Sequence, residues 1–170
     1  MEIEMDEELL FVDDEETESR EGEEPSSGFW KVLIVDDEEE VHQVTKLALK
    51  SLVFDRRPVQ FLSAYSAAEG KAILEEHEDL AVILLDVVME AENAGLQLVR
   101  YIRRNLGNSL VRIILRTGQP GQAPEYEVLT EYDINDDREK TELTAPKLYT
   151  TLITALRSYR DLMIIDTSAQ

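Results

Sequence analysis

Short apolar runs recur along this chain, and two of them stop at aspartate: Lys31-Val-Leu-Ile-Val35 runs into Asp36-Asp37, and Ala81-Val-Ile-Leu-Leu85 runs into Asp86. Unbroken runs of branched aliphatic residues read as strands buried on both faces, the situation of a parallel sheet covered by helices on each side. Such sheets carry their chemistry at the carboxyl ends of the strands. Three carboxylates are therefore expected to converge on one crevice.

The segments between the runs read as helices. Glu39 to Leu52 presents Val41, Val44, Ala48 and Leu52 at helical spacing, a stripe that fits packing on a sheet. Val59 to Ala64 reads as a second strand, and Ser66-Ala-Ala-Glu69 is a capping box opening a helix to about His77. After the third strand, Ala81 to Leu85, a helix is expected from near Asn93 to Gly107, then a strand from Val111 to Leu115. The stretch Gly118-Gln-Pro-Gly-Gln-Ala-Pro124 must be loop, leaving a short helix from Glu125 to about Tyr132 and a polar fifth strand near Ile134 to Glu139. Thr144 caps a last helix whose core face is Leu148, Leu152, Ala155, Tyr159 and Leu162. Five alternating βα units make an α/β fold.

The formal charge of −20 is concentrated at the start, where residues 1 to 29 carry thirteen acids against Arg20 alone. That part, with Gly22, Pro25, Ser26, Ser27 and Gly28, reads as an acidic disordered tail and linker, followed by a domain over 30–165 and a short tail over 166–170. Within the tail, Leu10-Phe-Val-Asp-Asp-Glu-Glu16 repeats Leu33-Ile-Val-Asp-Asp-Glu-Glu39 but for one residue; it reads as chance in an acid-rich stretch, with a docking motif as the sharper alternative. Both parts are acidic, which excludes direct nucleic-acid binding without a basic module. With no cysteine, thiolate metal sites and cysteine nucleophiles are excluded. No run reaches the roughly 20 apolar residues a membrane span needs, so a cytoplasmic protein with no membrane partner is expected.

Three clustered carboxylates repel unless a cation binds or a proton stays. Oxygen ligands favour a hard ion, and Mg²⁺ is the natural candidate. An aspartate beside Mg²⁺ can attack a phosphoryl group and form an acyl phosphate, and Asp86 has the right chemistry for it. Thr117 ends the fourth strand with Gly118 behind it, and Lys140 follows the fifth strand with a charge able to pair with the carboxylate or the phosphoryl group.

Val35-Asp36-Asp37, Leu85-Asp86, Thr117-Gly118 and Lys140, in this order, resemble the receiver domain of bacterial two-component response regulators over roughly residues 30 to 165. Trp30-Lys-Val-Leu-Ile-Val-Asp-Asp and Leu115-Arg-Thr-Gly-Gln-Pro-Gly-Gln-Ala-Pro124 are similar to a narrower group, the receivers ahead of HD-GYP-type phosphodiesterase domains. The resemblance implies a flavodoxin-like (βα)5 three-layer sandwich with strand order 2-1-3-4-5. It implies Asp86 as phosphoacceptor, Thr117 and Lys140 as its catalytic partners, and Mg²⁺ held by Asp36, Asp37, Asp86 and the backbone carbonyl of Val88. The implied partners are a histidine kinase or phosphotransfer protein, a downstream effector, and a second copy on phosphorylation.

The pattern departs from the family at four places. Glu90 replaces a proline in a lengthened loop, Thr141 replaces the proline after Lys140, and Asp137 stands where the switch aromatic is usual. Arg116 puts a charge at a strand position usually apolar, and an ion pair with Asp136, Asp137 or Glu139 is expected. His42 and His77 are read as solvent-facing. Two alternatives to a self-modifying signalling domain stay open: a phosphorylation-independent scaffold, and an aspartyl phosphohydrolase. The second is disfavoured because Val88 stands where such enzymes need an acid.

Overall fold

A computed structural model describes residues 28–89, 93–118, 126–140 and 144–168. The acidic segment with its Leu10–Glu16 repeat, Glu90 and Thr141 lie outside the described residues. The chain alternates strand and helix in the order β1 (Trp30–Val35), α1 (Glu39–Leu49), β2 (Val53–Phe54), β3 (Arg57–Ala64), α2 (Ala67–Glu76), β4 (Leu80–Asp86), α3 (Ala94–Arg100), β5 (Arg112–Thr117), α4 (Tyr126–Glu131), β6 (Asp136–Glu139) and α5 (Ala145–Ser168).

One sheet runs β2-β3-β1-β4-β5-β6. β3, β1, β4, β5 and β6 are all parallel to their neighbours, which is the flavodoxin-like order expected from the resemblance. The sixth strand is an addition: β2 pairs antiparallel with the start of β3, Val53 against Pro58 and Phe54 against Arg57. Its two-residue turn places Asp55 at φ 50° and Arg56 at φ 62°, the left-handed pair that a tight hairpin needs and that usually calls for asparagine and glycine. Sequence signals for that hairpin were therefore missing.

The strands read as continuous apolar runs because each face has its own core. On one face Leu33, Val35, Ile83, Leu85, Ile113 and Leu115 meet Leu74 of α2 and Leu98 of α3. On the other, Val32, Ile34, Val82, Leu84 and Ile114 meet Leu49 of α1 and Leu148, Leu152 and Leu156 of α5. The period of two sends alternate residues to opposite layers, and burial of each such side chain contributes about 1.5 to 3 kcal/mol.

The helix boundaries have local causes. Ser66 accepts a hydrogen bond from the Glu69 amide at 3.1 Å, as the capping box predicts, while the Glu69 carboxylate reaches one residue further back, to the Tyr65 amide. The last turn after α3, Tyr101 to Asn105, widens, with the Leu106 amide bonding to the Tyr101 carbonyl five residues back. The chain then leaves through Gly107 at φ 64°, a left-handed exit that glycine accepts without strain.

The buried face of α1 differs from expectation. His42, Thr45 and Leu49 are buried against the sheet, whereas Val44 is 56% exposed. The helical period is right and its phase is shifted by one residue, because two polar residues point inward.

Candidate functional site

β1, β4, β5 and β6 all point their carboxyl ends to the same edge, which brings Asp36, Asp86, Thr117 and Lys140 together. Asp86 closes β4 at 4% exposure, and Asp36 stands immediately after β1, equally buried. The Lys140 ammonium lies between them, 3.1 Å from Asp36 Oδ2 and 3.4 Å from Asp86 Oδ2, with Glu38 Oε1 at 3.6 Å. Lys140 is fixed there by its backbone, whose N–H donates to the Thr117 carbonyl at 2.7 Å. The expected Lys140–Asp86 contact is thus formed, and Asp36 shares it.

Burial, and next the charge of Asp36, push the Asp86 carboxyl up to about 6; Lys140 and the Val88 N–H, which donates to Asp86 Oδ1 at 3.3 Å, pull the other way. Burial alone would lower Lys140, but its contact with Asp36 and the fields of Asp86 and Glu38 outweigh that and hold the ammonium above its ordinary range. At neutral pH Asp86 is a carboxylate beside a lysine cation, a nucleophile with its charge partly balanced.

Among the described residues, the carboxylates close enough to share an ion are those of Asp36, Asp37 and Glu38, whose oxygens lie within 4.8 Å of one another. An all-oxygen donor set of this kind fits a hard divalent cation such as Mg²⁺ and no soft one. Glu38 was absent from the expected ligands; its amide donates to Asp36 Oδ1 at 2.9 Å, so the turn after β1 folds its own acids together. Among the described residues Asp86 is not in that trio, and no contact distinguishes the Val88 carbonyl. Thr117 is buried at the strand end, and its hydroxyl donates to the Arg138 carbonyl at 3.4 Å.

Three residues beneath the site correct or extend the sequence reading. His42 is fully buried, contrary to the expected solvent-facing position. Its Nε2 must donate to the Asp36 carbonyl, 2.8 Å away, since that oxygen only accepts; Nδ1 meets the Ser63 hydroxyl at 3.0 Å, and the ring packs on Tyr65. His77, by contrast, is half-buried beside Lys31 Nζ at 3.3 Å. Replacing His42 by leucine is expected to cost about 1 to 2 kcal/mol in urea unfolding, because the Asp36 carbonyl and the Ser63 hydroxyl lose their partner, and His42→Gln should recover part of it.

Arg116 also differs. It does not pair with Asp136, which instead bonds Arg138 at 3.2 Å; its Nη1 donates to Thr45 Oγ1 of α1 at 2.9 Å. Gly95, the third, opens α3 directly against the strand end: its N–H donates to the Val87 carbonyl at 3.0 Å, and a β-carbon there would lie 2.2 Å from the Asp86 carbonyl oxygen. Only a residue without a side chain allows that approach.

Known proteins share both sequence and fold with this chain. A 3'3'-cGAMP-specific phosphodiesterase 2 from Vibrio cholerae is 54% identical over 137 residues, which is 81% of this chain and 26% of that protein. The chain thus spans about a quarter of that relative. The response regulator receiver domain from Clostridium thermocellum superposes with a TM-score of 0.65 at 23% identity, covering 79% of this chain and 99% of that one. The signal receiver domain of an HD domain-containing protein from Pseudomonas fluorescens Pf-5 gives 0.64 at 17% identity, covering 84% and 97%. No protein-family profile matches the chain.

Proposed function

We propose that this chain, whose fold is that of a response regulator receiver domain, is a phosphoacceptor module in which Asp86 takes the phosphoryl group of a histidine kinase or phosphotransfer protein. The observation that carries the reading is Lys140 seated between Asp36 and Asp86, at 3.1 and 3.4 Å, at the edge where the five parallel strands end.

In the proposed step an Asp86 carboxylate oxygen forms the new bond to phosphorus as the P–N bond to the donor histidine breaks, and the imidazole leaves with the bonding pair. Asp86 is ionised above pH about 6, so the nucleophile is ready at neutral pH. Lys140 follows the charge from carboxylate to acyl phosphate. Mg²⁺, when bound, would neutralise the transferring oxygens. Asp36 and Asp37 would hold it, with Glu38 as an added ligand from the same turn, and Asp86 and the Val88 carbonyl as the ligands the resemblance implies. Thr117 would have to release the Arg138 carbonyl to reach the phosphoryl group, which makes that hydroxyl a two-position element.

We read the domain as modifying itself without turning over an external substrate, since Val88, two residues past Asp86, offers no acid or base. The Vibrio cholerae relative is named for cyclic-dinucleotide hydrolysis, and most of its length lies outside the match; a phosphodiesterase domain of that kind is the proposed effector. Adding Mg²⁺ and beryllofluoride should shift the backbone amides of Asp37, Thr117 and Lys140 in the wild type and leave those of Asp86→Asn in place. A response indifferent to Asp86 would overturn the reading.

A further inference from the structure

Arg116 is buried to 5% exposure, yet the one hydrogen bond its side chain makes among the described residues is to the neutral Thr45 hydroxyl. Its Nε is a buried donor with no partner among the described residues. A buried, incompletely bonded guanidinium is costly unless an opposite charge faces it. The register supplies that charge: Arg116 pairs directly with Asp86 across β4 and β5, and adjacent residues of parallel strands point to the same face. From β5 the side chain reaches Thr45 of α1, on the same face of the sheet as its register partner Asp86. Asp36 and Asp86 accordingly both act to keep it charged against the effect of burial.

We propose that Arg116 is a resident cation of the acid site: it neutralises Asp36 and Asp86 from below, sets a lower affinity for a divalent ion than the carboxylates alone would give, and lets the site stay assembled without metal. The proposal rests on the reading of the acid turn as a Mg²⁺ site and deepens it. Four acids, Asp36, Asp37, Glu38 and Asp86, then face two fixed cations, Lys140 from the solvent edge and Arg116 from the core. Removing one positive charge from beside a divalent site raises its affinity by about tenfold or more, whereas a change that only loosened packing would lower it.

The test is a Mg²⁺ titration of the full chain at pH 8, read by backbone amide shifts of Asp37 and Glu38, for the wild type, Arg116→Met and Arg116→Lys. The expected result is binding about tenfold tighter in Arg116→Met, where the side chain keeps an unbranched apolar stem and loses its charge, and near wild-type binding in Arg116→Lys. Equal or weaker binding by Arg116→Met overturns the proposal. Should that variant not fold, the wild type still decides: the Arg116 Nε–H resonance should move with the same midpoint as the Asp37 amide, and a resonance that stays in place overturns the proposal. The phosphoacceptor reading is judged separately, since a beryllofluoride response with no affinity gain in Arg116→Met fails the resident cation alone. An affinity gain without any beryllofluoride response supports the cation and fails the phosphoacceptor.

Discussion

Replacing Asp86 by asparagine should make the metal-free protein about 2 to 3 kcal/mol more stable above pH 7, read as a higher urea midpoint with an unchanged slope. Folding moves this carboxyl from an ordinary value of 3.8 up to about 6, through burial first and the Asp36 charge second. A group whose folded value is raised in this way favours the protonated folded state. Its penalty is absent below about pH 4, where the carboxyl is protonated in both states, grows between the two values, and is complete above about 6. Asparagine has the shape of the neutral acid and removes the penalty throughout. The two proteins should therefore have similar stability near pH 4 and diverge as pH rises. Saturating Mg²⁺ should narrow the gap, since cation binding stabilises the folded wild type by mass action. A stability difference that does not change between pH 4 and 8 would show that Asp86 is not held out of water as described.

Gly95→Ala should be the most damaging single-methyl change in the protein, costing on the order of 3 kcal/mol or more or preventing folding. Helix propensity alone favours alanine by up to about 1 kcal/mol, so the sign is decided by contact. The added β-carbon would meet the Asp86 carbonyl oxygen at 2.2 Å and the Val87 α-carbon at 2.8 Å, all main-chain atoms that cannot swing aside. Either α3 lifts off β4 or the backbone carrying Asp86 shifts. Gly70→Ala is the matched comparison: there the β-carbon meets Leu98 Cδ2 at 3.1 Å and Val35 Cγ2 at 3.3 Å, side-chain atoms that can yield. Thermal unfolding of the two variants should separate them clearly, and equal losses would remove the argument from backbone approach.

The parts of this protein that could be read from its sequence are those where burial and apolarity coincide. β1, β4 and β5 are covered on both faces, so they appear as unbroken aliphatic runs and their ends, with Asp36 and Asp86, could be located directly. The face of α1 was misplaced for the opposite reason: His42 and Thr45 are polar yet buried, because one holds the Asp36 carbonyl and the other holds Arg116. Arg116 itself was expected to pair with an acid of the neighbouring polar strand because charge normally seeks solvent or a nearby surface acid. Nothing in the sequence singled out Gly95, since the closeness of α3 to β4 is a fact of three-dimensional packing. Each error lies within reach of the acid site, where local preferences are overridden by the need to hold charges together.

The strand order β3-β1-β4-β5-β6 has a consequence for the time course of folding. No pair of these parallel neighbours can be joined by a tight turn, and each must wait for a helical crossover to close. Asp36, Asp86, Thr117 and Lys140 belong to or directly follow four different strands, with Lys140 tethered beyond the last of them. The repulsion between Asp36 and Asp86 therefore arises as soon as β1 and β4 pair, whereas the Lys140 cation that relieves it arrives only when β6 has docked. A nascent chain that assembles its apolar centre from β1, β4 and β5 first meets the electrostatic cost of its chemistry there, and the last strand to dock brings the charge that offsets it. That late pairing then lengthens the time the native state persists and leaves the speed of reaching it almost untouched.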